Sequence, residues 1–344
     1  MTKTNTGNFF EDYKIGQMIR HGVPRTLTDG ERALYTALYP SRHAQSSSDE
    51  FAKTCGFPQS PFDDLITFHT VFGKTVPEVS LNAVANLGYG DGRFLKKVYP
   101  GDTLTAVSEV IGLKENSNGK TGIVWVRTTG QNQHGEDVLS YVRWVMVRKG
   151  DVEAPAPQAT IPDLPEHVSA QDLTLPEGLH FNDYDFDLAG DRYRAKDYEI
   201  GEHINHIDGV TLEEAEHMMA TRLWQNTAKV HFDVNARPNG TRLIYGGHII
   251  SLARALSFNG MANAQNILAI NAGAHANPSF AGNTIYAATT VLDKAETSEE
   301  SVGALRIRLI AGKEPIESAK IKGEDGKYLP HIALDLDLWV ALPA

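Results

Sequence analysis

Two stretches of this chain hold residue types that could do chemistry at a useful spacing. The first is Gln225-Asn226-Thr227-Ala228-Lys229-Val230-His231-Phe232-Asp233, followed shortly by Tyr245-Gly246-Gly247-His248. An imidazole trades protons near neutral pH. Asn226, five residues before His231, cannot, but its amide can orient a water. Its plainer reading is a turn or cap residue. A Gly-Gly turn opening an apolar helix offers backbone N–H groups with the helix dipole behind them, an arrangement suited to a developing oxyanion. The second stretch is Asn86-Leu87-Gly88-Tyr89-Gly90-Asp91-Gly92-Arg93-Phe94-Leu95-Lys96-Lys97. Arg93, Lys96 and Lys97 form a one-sided basic cluster that suits phosphates, or else a solvated basic face. The glycines around Tyr89 permit close approach by an extended ligand.

Elements must position these residues. Ile249, Leu252, Ala253 and Leu256 fall at helical spacing, which predicts a buried helix over His248–Phe258 with Asn259-Gly260 as its stop. Its earlier counterpart is Leu65–Phe72, ending at Gly73. Runs rich in β-branched and aromatic residues predict strands over Thr103–Ile111, Gly122–Thr129, Val138–Val147, Tyr286–Leu292, Ala304–Ile310 and His331–Val340. Turn formers such as Asn116-Ser117-Asn118-Gly119 separate them, as in antiparallel meanders.

The two sets are copies of one plan. Asp12-Tyr13-Lys14-Ile15-Gly16 returns 185 residues later as Asp197-Tyr198-Glu199-Ile200-Gly201. At the same offset His21 matches His206, and Thr26-Leu27 matches Thr211-Leu212. Tyr99-Pro100-Gly101-Asp102-Thr103-Leu104 returns as Phe280-Ala281-Gly282-Asn283-Thr284-Ile285. A chain of 344 residues is comfortable for two domains. One is expected over residues 1–150 and the other over 186–344. The segment 151–185, holding Pro155, Pro157, Pro162, Pro165 and Pro176, is expected to be an extended, weakly ordered connector. A helix followed by a long antiparallel sheet, twice, is an α+β layout. The net charge of −11 excludes general nucleic-acid binding. A single cysteine, Cys55, excludes a disulfide framework and a thiolate zinc site. With no signal-like or membrane-spanning apolar run, the expectation is a cytoplasmic protein without membrane partners.

The stretch from Gln225 to His231, with the Gly-Gly turn after it, resembles the MaoC-type hydratase/dehydratase family. That family's motif runs Gly-Asp-x-Asn-Pro-x-His, and an Ala-His-Gly-Met loop then opens the central helix. Tyr99–Leu104 resembles its Pro-Gly-Asp-Thr-Leu element. The resemblance covers both halves and implies a tandem (double) hotdog, each half a sheet wrapped around a central helix. It implies a hydro-lyase acting on an acyl-CoA, with no metal or organic cofactor and with CoA entering only as the substrate thioester. Length and pattern are most similar to members acting on a branched, carboxylated enoyl-CoA, mesaconyl-CoA.

Carried across, His231 takes the catalytic histidine position and Asn226 that of the catalytic aspartate. Gly247 takes the position whose N–H meets the thioester oxygen. Asn226 departs from the family acid, so His231 handles both proton transfers, or Asp233 supplies a second acid or orients the imidazole, or the substrate carboxylate helps place the water. The first half has lost the motif: the residue five before His43 is Leu38, and Pro61-Phe62-Asp63-Asp64 stands where the loop would be. Relatives use such a half to make room for substrate and line the CoA tunnel with its loop and strand. That implies roles for Ser60, Pro61, Phe62 and Asp63, for Asn86, Leu87, Gly88 and Tyr89, and for Arg93, Lys96 and Lys97 on the phosphates. A substrate carboxylate would need a cation, Arg222 first for its planar fork and its nearness to Asn226, then Lys229, Arg237 or Arg242. The rival readings are an (R)-specific hydratase for fatty enoyl-CoAs, a non-catalytic acyl-CoA-binding protein and a hotdog thioesterase. A homodimer is possible, although a double hotdog already pairs its halves.

Overall fold

The computed structural model describes residues 3–344. Ten antiparallel strands form one sheet: β1 (Met18–Thr26), β2 (Ala83–Phe94), β3 (Thr103–Glu115), β4 (Thr121–Gln131), β5 (Asp137–Arg148), β6 (His203–Thr211), β7 (Asn266–His275), β8 (Thr284–Glu296), β9 (Val302–Gly312) and β10 (Ile332–Pro343). Their order is β1-β3-β4-β5-β2-β7-β10-β9-β8-β6. Five strands from each half therefore meet at the β2–β7 pair, where Tyr89 stands opposite Gly273 and Arg93 opposite Ala269. Each half packs a buried helix on the sheet, Asp64–Thr75 in the first and Gly246–Leu256 in the second. Among the described residues no helix is long and apolar enough to cross a membrane.

The internal echo is an echo of turns. Gly16 and Gly201 have φ of 77° and 89°, a region open to glycine, and their N–H groups donate to Val110 and Val291. Gly101 and Gly282 likewise have positive φ and donate to Leu27 and Leu212. His21 and His206 are buried beside an inward hydroxyl of the neighbouring strand, Ser108 and Thr289.

Each expected strand lies within a residue of, or inside, a longer observed one. The glycine-rich β2 lacks strand composition and is a strand because β5 and β7 pair with it on both sides. Two expectations are corrected. Gly73 does not end the first central helix, which runs through Thr75 into a wider turn over Val76–Ser80. A β-carbon built on Gly73 would lie 1.7 Å from the Trp224 carbonyl oxygen, so the glycine admits the backbone of the other half. The proline-rich connector is extended but not loose. Val168, Leu179, Phe181 and Tyr184 are buried, the Val168 N–H donates to Asn271, and the Val168 carbonyl accepts from the Trp339 indole.

Candidate active site

The motif stretch is built from turns held against both central helices. Helix Glu214–Leu223 ends at Trp224, and Gln225 turns the chain with φ of 54°, at the place where the family motif has glycine. Asn226 is 2 % exposed, and its Oδ1 accepts the Ala228 N–H at 3.0 Å. This Asx turn leads into the single helical turn Lys229–Phe232 that carries His231. The Asn226 amide is thus both a turn former and a polar group at the site.

His231 is oriented by a carbonyl. Its Nδ1 donates to Leu243 O at 2.7 Å, which fixes the tautomer and leaves Nε2 with its lone pair. Burial pushes its pKa below the ordinary histidine value, against the Leu243 bond that favours the proton. The imidazole is therefore a neutral base at pH 7. Asp233 does not orient it: this exposed carboxylate accepts from the N–H and the amide of Asn235 and caps the turn Val234–Ala236.

The Gly-Gly turn stands beside it. Tyr245 precedes the helix at 5.7 Å from the His231 ring, centroid to centroid. The first-turn N–H groups of Gly246 and Gly247 have no acceptor within their helix, and the helix dipole reinforces them. A β-carbon on Gly247 would meet the Tyr245 ring at 2.4 Å, and one on Gly246 would meet the His275 ring at 2.4 Å. Packing alone therefore requires glycine at both positions.

Three further histidines lie around Tyr245 and Gly246, and sequence reasoning did not single them out. His217 Nε2 accepts the Tyr245 N–H at 2.9 Å, His69 Nδ1 lies 3.3 Å from the Tyr245 hydroxyl, and His275 Nε2 lies 2.9 Å from the Tyr89 hydroxyl. Burial drives His69 and His217 down to about 3 and His275 to about 4, so all are neutral near pH 7. Tyr245 was legible as the residue before the Gly-Gly pair. His275 had no local signal, because β7 brings it to the site from far along the chain. Among the described residues no group of three His, Cys, Asp or Glu is placed to hold a metal.

The first-half residues are placed as follows. Ser60 is buried and binds Asp49 and Arg32, Phe62 lies under Arg32, and Asp63 caps the central helix by accepting the Leu65 N–H. Pro61 is buried beside them. Asn86 and Leu87 are half-buried, and Tyr89 reaches His275. Two of the three glycines of β2 are filled rather than open: a β-carbon on Gly88 would strike Trp144 at 2.4 Å, and one on Gly92 would strike Ile270 at 2.9 Å. The three cations each have a separate carboxylate. Arg93 meets Asp91 at 3.2 Å and Lys96 meets Glu136 at 2.5 Å, both partly exposed. Lys97 is buried against Asp64 at 2.6 Å, and Asp64 also accepts the Ile267 N–H, so Lys97 is occupied by the fold. Arg222 is exposed at the end of its helix, and Arg242 pairs with Glu214.

Comparison with known proteins adds a family pattern to this geometry. A family model described as mesaconyl-CoA hydratase matches residues 1–320. The mesaconyl-CoA hydratase of Cereibacter sphaeroides is 67% identical over 341 residues, 99% of each chain. The beta-methylmalyl-CoA dehydratase of Chloroflexus aurantiacus is 55% identical over 346 residues, 99% of this chain and 98% of that one. The crystal structure of a MaoC-domain dehydratase from Chloroflexus aurantiacus superposes with a TM-score of 0.97 at 54% identity, covering 100% and 99% of the two chains. A double-hotdog protein of Mycobacterium tuberculosis, 22% identical with a TM-score of 0.73 over 98% and 99% of the chains, shares the fold.

Proposed function

The chain belongs to the mesaconyl-CoA hydratase family, and from that premise we propose that it hydrates mesaconyl-CoA reversibly to β-methylmalyl-CoA. The observation that carries the site assignment is the seat of His231. It is a half-buried, neutral imidazole whose Nδ1–H is held by Leu243 and whose Nε2 is left to take a proton beside the Gly246-Gly247 helix start. In the forward direction Asn226 holds a water and His231 Nε2 removes its proton as the oxygen bonds to Cβ. The Gly247 N–H stabilises the thioester enolate so formed. The imidazolium then returns the proton to Cα, which balances the addition of H and OH.

Residues 186–344 supply this chemistry and residues 1–150 the substrate-facing wall. Arg93 and Lys96 are the cations suited to the CoA phosphates, since partly exposed ion pairs exchange partners at little cost. The first central helix is buried over its whole length, which supports a short acyl group rather than a fatty chain. The test follows the enoyl-thioester absorbance of mesaconyl-CoA with the wild type and His231→Ala. Absorbance loss with the wild type alone is expected. A wild type that leaves mesaconyl-CoA unchanged would overturn the activity, and a fully active His231→Ala would overturn the site.

A further inference from the structure

A second polar cluster lies inside the first half, next to the Phe72 ring, which like His231 packs near Tyr245. Strand alternation puts Tyr141 and Arg143 of β5 on one face, turned toward the first central helix. Both are 0 % exposed. The Arg143 guanidinium lies 4.4 Å from the centroid of the Phe72 ring, and its Nη2 donates to Thr75 Oγ1 at 2.7 Å. Its Nε and Nη1 have no acceptor, the Tyr141 hydroxyl has no partner, and neither amide atom of Asn86 has one. No carboxylate stands within 4.0 Å of the guanidinium among the described residues. Glu78, which shares its neighbours Tyr13 and His21, is held by the His21 imidazole at 2.9 Å.

A buried guanidinium without a counterion carries a large desolvation penalty, and buried N–H groups without acceptors add to it. Such an arrangement is stable when an anion arrives. The cluster is continuous with the reaction site. Tyr89 pairs with Arg143 in the sheet register, and its hydroxyl bonds His275, whose ring packs on Gly246. The Phe72 ring that stacks on Arg143 lies 6.1 Å from the Tyr245 ring, and the Arg143 charge acts on the Tyr245 phenol.

We infer that Arg143, with Tyr141 and Asn86, is the subsite for the free carboxylate of the acyl group. The inference rests on the hydration reading above. In this substrate the carboxylate is on the carbon that takes the hydroxyl, at the end remote from the thioester. A fixed guanidinium there neutralises the negative charge beside which the enolate must form, and it sets which alkene carbon faces the water held by Asn226. The second half thus supplies the proton chemistry and the first half the cation that selects a dicarboxylic acyl group.

The test compares Arg143→Met and Arg143→Lys with the wild type. Binding of succinyl-CoA and butyryl-CoA, unreactive esters with and without a carboxylate, is measured by calorimetry. Hydration of mesaconyl-CoA is followed by absorbance, and thermal melting is recorded. The wild type is expected to prefer succinyl-CoA by at least about tenfold. Arg143→Met should lose that preference and about 10²-fold of kcat/KM for mesaconyl-CoA, since truncating a desolvated charge pair has a large effect. Butyryl-CoA affinity should change less than threefold, and melting should not fall, because a lone buried charge has been removed. Arg143→Lys should keep part of the preference. Equal losses for both esters with a lowered melting temperature would assign Arg143 a structural role and overturn the inference, as would an unchanged preference. If Arg143→Met does not fold, Arg143→Lys decides by the same ratio. A wild type that binds succinyl-CoA preferentially yet hydrates nothing would sink the hydration reading alone. An active wild type with an unaltered preference in the variants would sink only the subsite.

Discussion

Gly73→Ala is a one-carbon change that reaches the reaction site through the backbone. The new β-carbon would lie 1.7 Å from the Trp224 carbonyl oxygen and 2.9 Å from its carbon, while real β-carbons do not come closer than 3.0 Å. The carbonyl must retreat by at least the 1.3 Å difference between 3.0 and 1.7 Å, and no flexible side chain can absorb that shift. Alanine favours a helix over glycine by about 1 kcal/mol, but overpacking a core typically costs about 1–3 kcal/mol, so net destabilisation is expected. Function should suffer more. Trp224 is two residues before Asn226, and the segment joining helix Glu214–Leu223 to the turn Lys229–Phe232 ties both to His231 through Ala228. A misplacement of about 1 Å costs on the order of 10²-fold in rate. Gly73→Ala should therefore melt a few degrees lower and lose about 10²-fold in kcat, with KM nearly unchanged because the β2 cations are elsewhere. Steady-state hydration of mesaconyl-CoA with a melting curve checks both. A variant with wild-type kcat would refute the argument that this contact positions Asn226.

Other outcomes follow from single interactions. His231→Gln should keep the fold and lose about 10²–10⁴-fold of kcat, the range for a removed acid/base group, read by absorbance. Asn226→Ala removes the acceptor for the Ala228 N–H and should cost about 1 kcal/mol in urea unfolding along with most of kcat. Lys97→Met leaves Asp64 buried without its cation and should destabilise by about 3–5 kcal/mol with KM for the CoA ester little changed. A rise in KM at unaltered stability would instead place Lys97 on the phosphates. Stability should also fall with acid. His69, His217, His248 and His275 have folded values of about 3 to 4, below the 6.5 of an exposed imidazole. The unfolded chain binds these protons first, so their contribution is complete above pH 6.5 and is lost progressively as the pH falls from 6.5 through the folded values of about 4 and 3. Urea midpoints across that range measure it, and a flat profile would contradict neutral burial.

The duplicated plan, the strands of high β propensity and the two apolar central helices were readable because each is written locally. Periodicity, turn glycines such as Gly16 and Gly101, and a short motif are properties of neighbouring residues. The same locality made the glycines of β2 and Gly73 misleading. A glycine reads as an opening or a stop until the partner that fills it is known, and here those partners are Trp144, Ile270 and the Trp224 carbonyl. The pairing of the basic cluster was hidden for a related reason: sequence shows three cations near one another but not Asp91, Glu136 and Asp64, which the folded chain sets beside them.

By itself, then, the sequence determined that two copies of one α+β unit share a chain, and it singled out His231, Asn226 and the Gly246-Gly247 turn as candidates for one site. Tertiary structure alone decided what surrounds them. The carbonyl that fixes the His231 tautomer comes from Leu243, the neutral histidines from three separate elements, and the unpaired Arg143 from the opposite half. Desolvation and charge pairing depend on distance through space, and a ten-stranded sheet closes those distances between residues far apart along the chain.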